Sequence, residues 1–393
     1  MARVFGTGDN ASVNATGVTQ LQPHYFYKKA LIELVKDQHF MPLADVRSMP
    51  KNMGKKIKQY HYLPLLDDRN VNDQGLDASG AVITNGNLYG SSKDVGTISG
   101  KLPLLSENGG RVNRVGFKRL EIEGTLEKFG FFDEYTQESL DFDSDAELEM
   151  HITRETLRAA QEITEDALQI DLLNAAGVVK YAGNASSNAT MSGNNGEVDV
   201  VTYTDIMKLG IMLDNNRCPK STTYIAGSRM IDTKTVPAAR SLFIGSELLP
   251  IIRGMKDLHN EPAFIPVQRY ADAGNVLPHE VGAVDHFRII VNLEMQKWAG
   301  AGASVTTNAG YQETGGKYDV FPMLTVGSGS FTTVGFQTDG KTVKFVINHK
   351  KPSDNIDRND PYGEKGFHSI KWYYGFMALR PEWIGLIKTV API

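Results

Sequence analysis

The chain is poor in cysteine, with Cys218 alone among 393 residues. A single thiol excludes an internal disulfide framework and every multi-thiolate metal or iron–sulfur site, and it suits a reducing, cytosolic place of synthesis. Long apolar runs are missing too. No stretch approaches 18 consecutive apolar residues, and the opening MARVFGTGDNASVNATG has no apolar signal-peptide core, so neither export nor a membrane span is expected. There is no basic excess: Lys plus Arg is 41 against 46 Asp plus Glu, a formal charge of −5. That argues against a protein whose main affinity is for phosphate backbones. What is present, 41% hydrophobic and 22% charged residues, can bury a large core in two or three domain-sized units.

Residues 1–22 are small and polar, anchored only by Val4, Phe5, Val13 and Val18, and read as an extended arm whose backbone needs partners elsewhere. Tyr25, Ala30, Leu31, Leu34 and Val35 fall near helical spacing and predict a short amphipathic helix. Two strand-like runs follow. KKIKQYHYLPLL (55–66) is basic at its start, while Leu120, Ile122 and Leu126 alternate with Glu121, Glu123 and Glu127. Opposite charges facing across strands contribute about 0.2–1 kcal/mol each, which favours pairing these two runs as a hairpin stem. Between them, residues 67–112 are half Gly, Asn, Asp and Ser, yet carry Val82, Ile83, Leu88, Leu102, Leu104 and Leu105. Such a segment cannot make its own core and is too apolar for a plain linker, which predicts a long hairpin lying on something else; a mobile surface loop is the alternative.

The strongest local pattern is helical. Ser144 and Glu147 form an S-x-x-E capping box, and Leu148, Ile152, Ala159, Ile163, Ala167 and Ile170 form an apolar stripe, with Gly177 as the C′ stop. The expected helix of about 32 residues would span roughly 48 Å. Glu149, Arg154, Glu155, Arg158, Glu162, Glu165 and Asp166 form its charged outer face. Beyond a Gly/Asn/Ser-rich break at 181–196, a helix at 204–214 and strands at 222–226 and 287–293 predict an α+β unit. It closes with a hairpin, 331–347, turning at Asp339-Gly340, and an aromatic, apolar core stretch at 372–390.

Catalytic and metal motifs weigh poorly against their context. Gly335 to Thr342 matches the phosphate-loop pattern G-x-x-x-x-G-K-[ST], but Val343, Phe345 and Ile347 alternate like a strand, whereas phosphate binding needs a helix at that point. His279-Glu280 and His286 lack the four-residue spacing of a zinc-protease helix. Asp141, Asp143 and Asp145 lack the Gly and Glu of a calcium loop and read as acids at the start of the long helix. Asp354, Asp357 and Asp360 lie in a turn-rich loop. Cys218 reads as a small buried hydrophobe rather than an activated thiol. No G-x-S-x-G elbow occurs. The Asn-x-Ser/Thr triplets at Asn10, Asn14, Asn184 and Asn188 are polar loops in an unexported chain. No cofactor, metal or catalytic residue is expected.

The order of arm, short helix, long hairpin, strut helix, α+β unit and closing strands resembles the major capsid proteins of tailed bacteriophages with the Hong Kong 97-type fold. FMPLADVRSMPKNMGKKIKQYHYLPLLDDRNVNDQG (40–75) and DPYGEKGFHSIKWYYGFMALRPEWIGLI (360–387) are most similar to the Schitoviridae-type podophage capsid proteins, with Ser369-Ile370 departing from a glycine expected before Lys371-Trp372. The resemblance implies an N-arm and short helix over 1–50, an E-loop hairpin and stem over 51–130, and the spine helix of a P-domain over 131–197. An A-domain would span 198–345, and P-domain closing strands 346–393. It further implies a non-enzymatic shell subunit, assembled in the bacterial host cytoplasm as hexamers and pentamers of itself around double-stranded DNA. Its other partners would be a portal protein, a separate scaffold and a decoration protein, with only non-specific proximity to DNA and no membrane. From the residues, the subunit contacts are expected at Phe5, Val13, Leu88, Leu102, Leu104 and Leu105. An encapsulin-type compartment of the same fold, and a cytosolic nucleotide-binding enzyme using 335–342, are the alternatives.

Overall fold

An 18-residue strand, Arg119–Thr136, does two jobs in succession: its first third makes a two-stranded ribbon and the rest joins a sheet. The computed structural model describes residues 38–62, 119–142, 148–225, 233–236, 239–269, 276–336, 345–354, 356 and 360–392. In chain order the strands and helices are β1 (Asp45–Met49), β2 (Lys56–Tyr62), β3 (Arg119–Thr136), the short α1 (Gln137–Phe142), the long α2 (Leu148–Ala175) and β4 (Val178–Tyr181). The small pair β5 (Gly193–Asn194) and β6 (Glu197–Val198) precedes α3 (Tyr203–Asn215), the pair β7 (Thr222–Ile225) and β8 (Thr233–Val236), β9 (Arg240–Ile244) and α4 (Leu249–Arg253). Then come β10 (Ile265–Pro266), β11 (Glu280–Val284), β12 (Phe287–Val291), the pair β13 (Glu313–Thr314) and β14 (Lys317–Tyr318), and β15 (Phe321–Val326). β16 (Phe331–Phe336), β17 (Val346–Lys350), β18 (Lys365–Ala378) and β19 (Ile384–Thr389) complete the chain.

The first sheet has the order β1-β16-β18-β3-β2, with β17 also on β18. The expected stem is there: β2 and β3 pair antiparallel with Lys58 opposite Glu123 and Tyr60 opposite Glu121. Period-two alternation sends Ile57, Ile122 and Leu126 to one face and the charges to the other. The apolar face curls inward, so that β1 and β2, at opposite ends of the strand order, touch again where the Arg47 guanidinium donates to the Gln59 side-chain oxygen. Met49, Leu126 and Val334 form a small core inside this curl, with Ile57, Phe336 and Tyr373 packed on it. An isolated hairpin is marginal in water, and this covered face is what supports the ribbon.

On the other face of that sheet lies α2, 28 residues or about 42 Å long. It is shared with the second sheet, of order β10-β11-β12-β9-β15-β19-β4. One core joins Leu168 and Leu172 of the helix to Ile370, Trp372 and Tyr374 of β18 and to Phe243, Leu324 and Leu386 of the second sheet. The opposite face of the second sheet packs on α3 through Leu209, Leu213, Leu242, Ile289, Met323 and Ile387. The layers are therefore sheet, helix, sheet, helix, an α+β architecture with two cores sharing one sheet.

Several expectations are corrected. The buried line on α2 is Thr156, Ala160, Thr164, Leu168 and Leu172, whereas Ile163 and Ile170 of the expected stripe are 45% and 47% exposed. The two sheets cover the face carrying Ala160, Leu168 and Leu172, with the small Ala160 permitting close approach. Gly177 is not a left-handed stop either, since its φ is not positive. A Cβ there would lie 2.6 Å from the Pro381 carbonyl carbon, so glycine is required by close backbone packing. The capping box at 144–147 lies outside the described residues, as do the short helix near 25–35 and Asp143 and Asp145, while Asp141 falls in α1 rather than at the start of the long helix. Strands 331–336 and 346–350 do not form a hairpin with each other. Both run antiparallel to β18 along the same edge, Thr333 opposite Phe376 and Asn348 opposite Ser369. Residues 331–336, expected within the 198–345 unit, thus belong to the first sheet. Strand 222–225 pairs with β8 alone and stays off the seven-stranded sheet. The strand at 287–291 and the helix at 203–215 form as expected, whereas β4 and β19, expected within the 131–197 and 346–393 units, join the seven-stranded sheet.

Candidate subunit-contact surfaces

The six contact candidates, Phe5, Val13, Leu88, Leu102, Leu104 and Leu105, all lie outside the described residues. The structure brings out the roots from which their two segments depart. The first described residues include His39–Met41, where three consecutive backbone N–H groups converge on one carboxylate of α2. His39 and Phe40 donate to Glu165 Oε1 at 2.8 and 2.6 Å, and Met41 donates to Oε2 at 3.1 Å. These are the free donors at the start of the 3-10 turn Met41–Leu43, so the carboxylate does the work of a cap from a distance of more than 120 residues. Burial pushes the Glu165 carboxyl above its ordinary range and the three N–H groups draw it back down. Phe40 is fully buried and rests on Phe243 with ring centroids 4.9 Å apart. Glu165 was expected on a solvated face. Its helical position predicted that, and nothing in the local pattern signals a donor so distant in sequence.

The segment 63–118 departs from the β2–β3 ribbon. The ribbon's outer face carries Lys56–Glu123 at 3.6 Å, Lys58–Glu121 at 3.6 Å and Lys58–Glu123 at 3.9 Å, with the Arg119 guanidinium 4.1 Å above the Tyr60 ring. These pairs are about half exposed, so each contributes at most about 1 kcal/mol and they act chiefly to fix register. On the inner face, burial and then the nearby Arg380 charge lower the His61 pKa.

Beyond the roots, the described surface exposes large apolar side chains that a solitary chain gains nothing by displaying. Ile163 and Ile170 lie seven residues apart on one helix face, Leu293 is 70% exposed, and Phe132 projects at 65% from the face of the first sheet turned away from α2. A periodicity search finds the two isoleucines but misassigns them to the core.

The chemical motifs fall into structural roles. Residues 337–344 lie outside the described residues, but the chain after them enters β17, a strand where phosphate binding requires a helix. Cys218 is buried, and desolvation pushes its thiol up to about 11. Glu280 starts β11, accepting from the Leu277 N–H at 2.9 Å and facing Arg288, while His279 holds a left-handed turn at φ 58°. Asp360 accepts the N–H groups of Glu364 and Lys365, a turn cap whose hydrogen bonds hold its carboxyl below the usual range. Among the described residues, no group of three His, Cys, Asp or Glu could hold a metal ion, and no helix is long and apolar enough to cross a membrane.

Comparison with known proteins gives concordant results. A family model described as phage capsid protein matches residues 119–389. The chain is 61% identical over 377 residues to a major capsid protein of Pseudomonas phage KPP21, covering 95% of this chain and 93% of that one. In fold it is similar to the capsid of Ralstonia phage GP4, with TM-score 0.56 at 9% identity over 98% of this chain and 99% of that one. It is also similar to the capsid of cyanophage Pam1, with TM-score 0.55 at 10% identity over 97% and 98% of the two chains.

Proposed function

The chain belongs to the phage capsid protein family as a major capsid protein of the Hong Kong 97-type fold, and we propose that it builds an icosahedral head as hexamers and pentamers enclosing phage double-stranded DNA. The observation that carries this is the pairing of two anchored roots, the Glu165 clasp and the β2–β3 ribbon, with segments of 37 and 56 residues that leave them. Closed shells are held by many modest contacts whose effective concentration is high once the first has formed. Arms and hairpins reaching sister subunits multiply such contacts. The net charge of −5 suits a container, because a basic lining would retain the duplex through counterion release.

We assign the six-stranded sheet with α2 to the peripheral domain and the seven-stranded sheet with α3 to the axial domain. The subunit contacts are placed at Phe5, Val13, Leu88, Leu102, Leu104 and Leu105. A portal, a separate scaffold and a decoration protein complete the head, which assembles in the host cytoplasm without a membrane. Similarity to phage capsids across nearly the full chain favours this over an encapsulin-type compartment. The test replaces Leu104 and Leu105 together by Asp. Abolished assembly with a chain that still melts cooperatively supports the assignment, and normal shells from the variant refute it.

A further inference from the structure

Among the described residues, three segments carry the chain toward or between the two sheets: 176–177 from α2 into β4, 327–330 from β15 into β16, and 379–383 from β18 into β19. All three meet at one node. The Gly177 N–H donates to the Pro381 carbonyl at 2.9 Å and the Gly327 N–H to the Trp383 carbonyl at 3.0 Å. The N–H groups of Leu379 and Arg380 both donate to the Ser330 carbonyl at 2.8 Å. The end of α3 closes the ring, Asn216 Nδ2 donating to the Glu382 carbonyl at 3.0 Å and Trp383 Nε1 donating to the Asn216 carbonyl at 2.9 Å. The fit is tight: a Cβ on Gly327 would stand 2.7 Å from Cys218 Sγ.

Inside this node sits a carboxyl group. Glu382 is 2% exposed, and no other described residue donates a hydrogen bond to its side-chain oxygens, which only its own backbone N–H approaches. The charged and titratable groups around it are few. Arg380, on the same turn, lies over the Trp383 ring at 4.0 Å and also acts on His61 of the ribbon. Cys218 approaches from the end of α3, with Arg240 and its partner Asp214, 2.7 Å apart, behind it. The other two segments, Ala176-Gly177 and Gly327-Ser328-Gly329-Ser330, bring no charge.

We propose that this node is the hinge between the two sheets and that the Glu382 carboxyl is its proton-operated latch, closed when neutral and loosened when ionised. Burial away from any other residue's donor favours the neutral acid, and it pushes the Glu382 carboxyl up to about 7, with its own backbone N–H and then Arg380 drawing it only part of the way back. The sign follows from linkage: an acid held above its ordinary 4.5 in the closed state contributes stability that is fully present below about 4.5 and lost as pH rises through about 7.

Hydrogen exchange of the full-length chain from pH 5 to 8.5, corrected for intrinsic rates, tests this at the Gly177 and Gly327 amides. Their protection should fall by on the order of fifty- to a hundredfold across that range, while the Asp199 amide, bonded to Ser192 away from the node, keeps its protection. In Glu382→Gln the two glycine amides should stay protected throughout. A variant that tracks the native profile, or a loss of protection equal at Asp199, overturns the proposal. Should Glu382→Gln fail to fold, the native profile decides: an inflection near pH 7 confined to the node supports the latch, and its absence overturns it.

Discussion

Replacing Glu165 by alanine removes one acceptor group shared by three consecutive backbone donors. Phe40 and Met41 are 0% and 5% exposed, so water cannot take the carboxylate's place without opening the site. A hydrogen bond to a charged acceptor is worth about 1.5–3 kcal/mol, and a buried donor left unmade costs about 1–3. The three bonds share one side chain and are not additive, and ionising a buried carboxylate offsets part of their gain. The expected loss is therefore about 3–5 kcal/mol, a large share of the 5–15 typical of a folded domain. Glu165→Gln keeps the shape and one oxygen but turns an NH₂ toward a donor, and should lose about half as much. Urea titration reads the loss as a lowered midpoint at unchanged slope, and exchange of the 39–41 amides locates it. A Glu165→Ala protein within about 0.5 kcal/mol of the native one, with those amides still protected, would refute the clasp.

Two further substitutions separate competing accounts of the long helix. Leu168→Ala should cost about 2–5 kcal/mol and Ile163→Ala about 0.5 by thermal or urea unfolding, and the reverse order would restore the stripe that periodicity suggests. Gly177→Ala and Gly177→Asn should both lose about 1–3 kcal/mol, because the obstacle is the Pro381 backbone. Tolerance of Asn, which readily adopts left-handed backbone, with rejection of Ala would instead mean that position 177 is a left-handed helix stop.

The elements legible in the residues are those whose cause is local. Glu121, Ile122, Glu123 and Lys56, Ile57, Lys58 alternate with the pleat and carry complementary charges, so both the ribbon and its partner could be named. Ile289, Ile290 and Val291 run consecutively apolar in FRIIVNL because β12 lies between two strands with both faces covered. Illegible were the features made by distant partners. Ile163 and Leu168 are equally apolar, and only the positions of two sheets decide which is covered. The β16 and β17 strands flank an Asp-Gly turn signal, yet β18 offers both a better edge than they offer each other.

Composition and periodicity alone therefore determined the class of molecule: no disulfide framework, no long apolar run, an acidic balance, a charged two-stranded stem, and a strut helix. Tertiary structure decided which polar groups go inside. The Glu165 carboxylate meets amides 124–126 residues away, and the Glu382 carboxyl is enclosed by three segments from separate parts of the chain. A side chain's neighbours along the chain dictate which way it points, but the water it loses is set by what folds back over it.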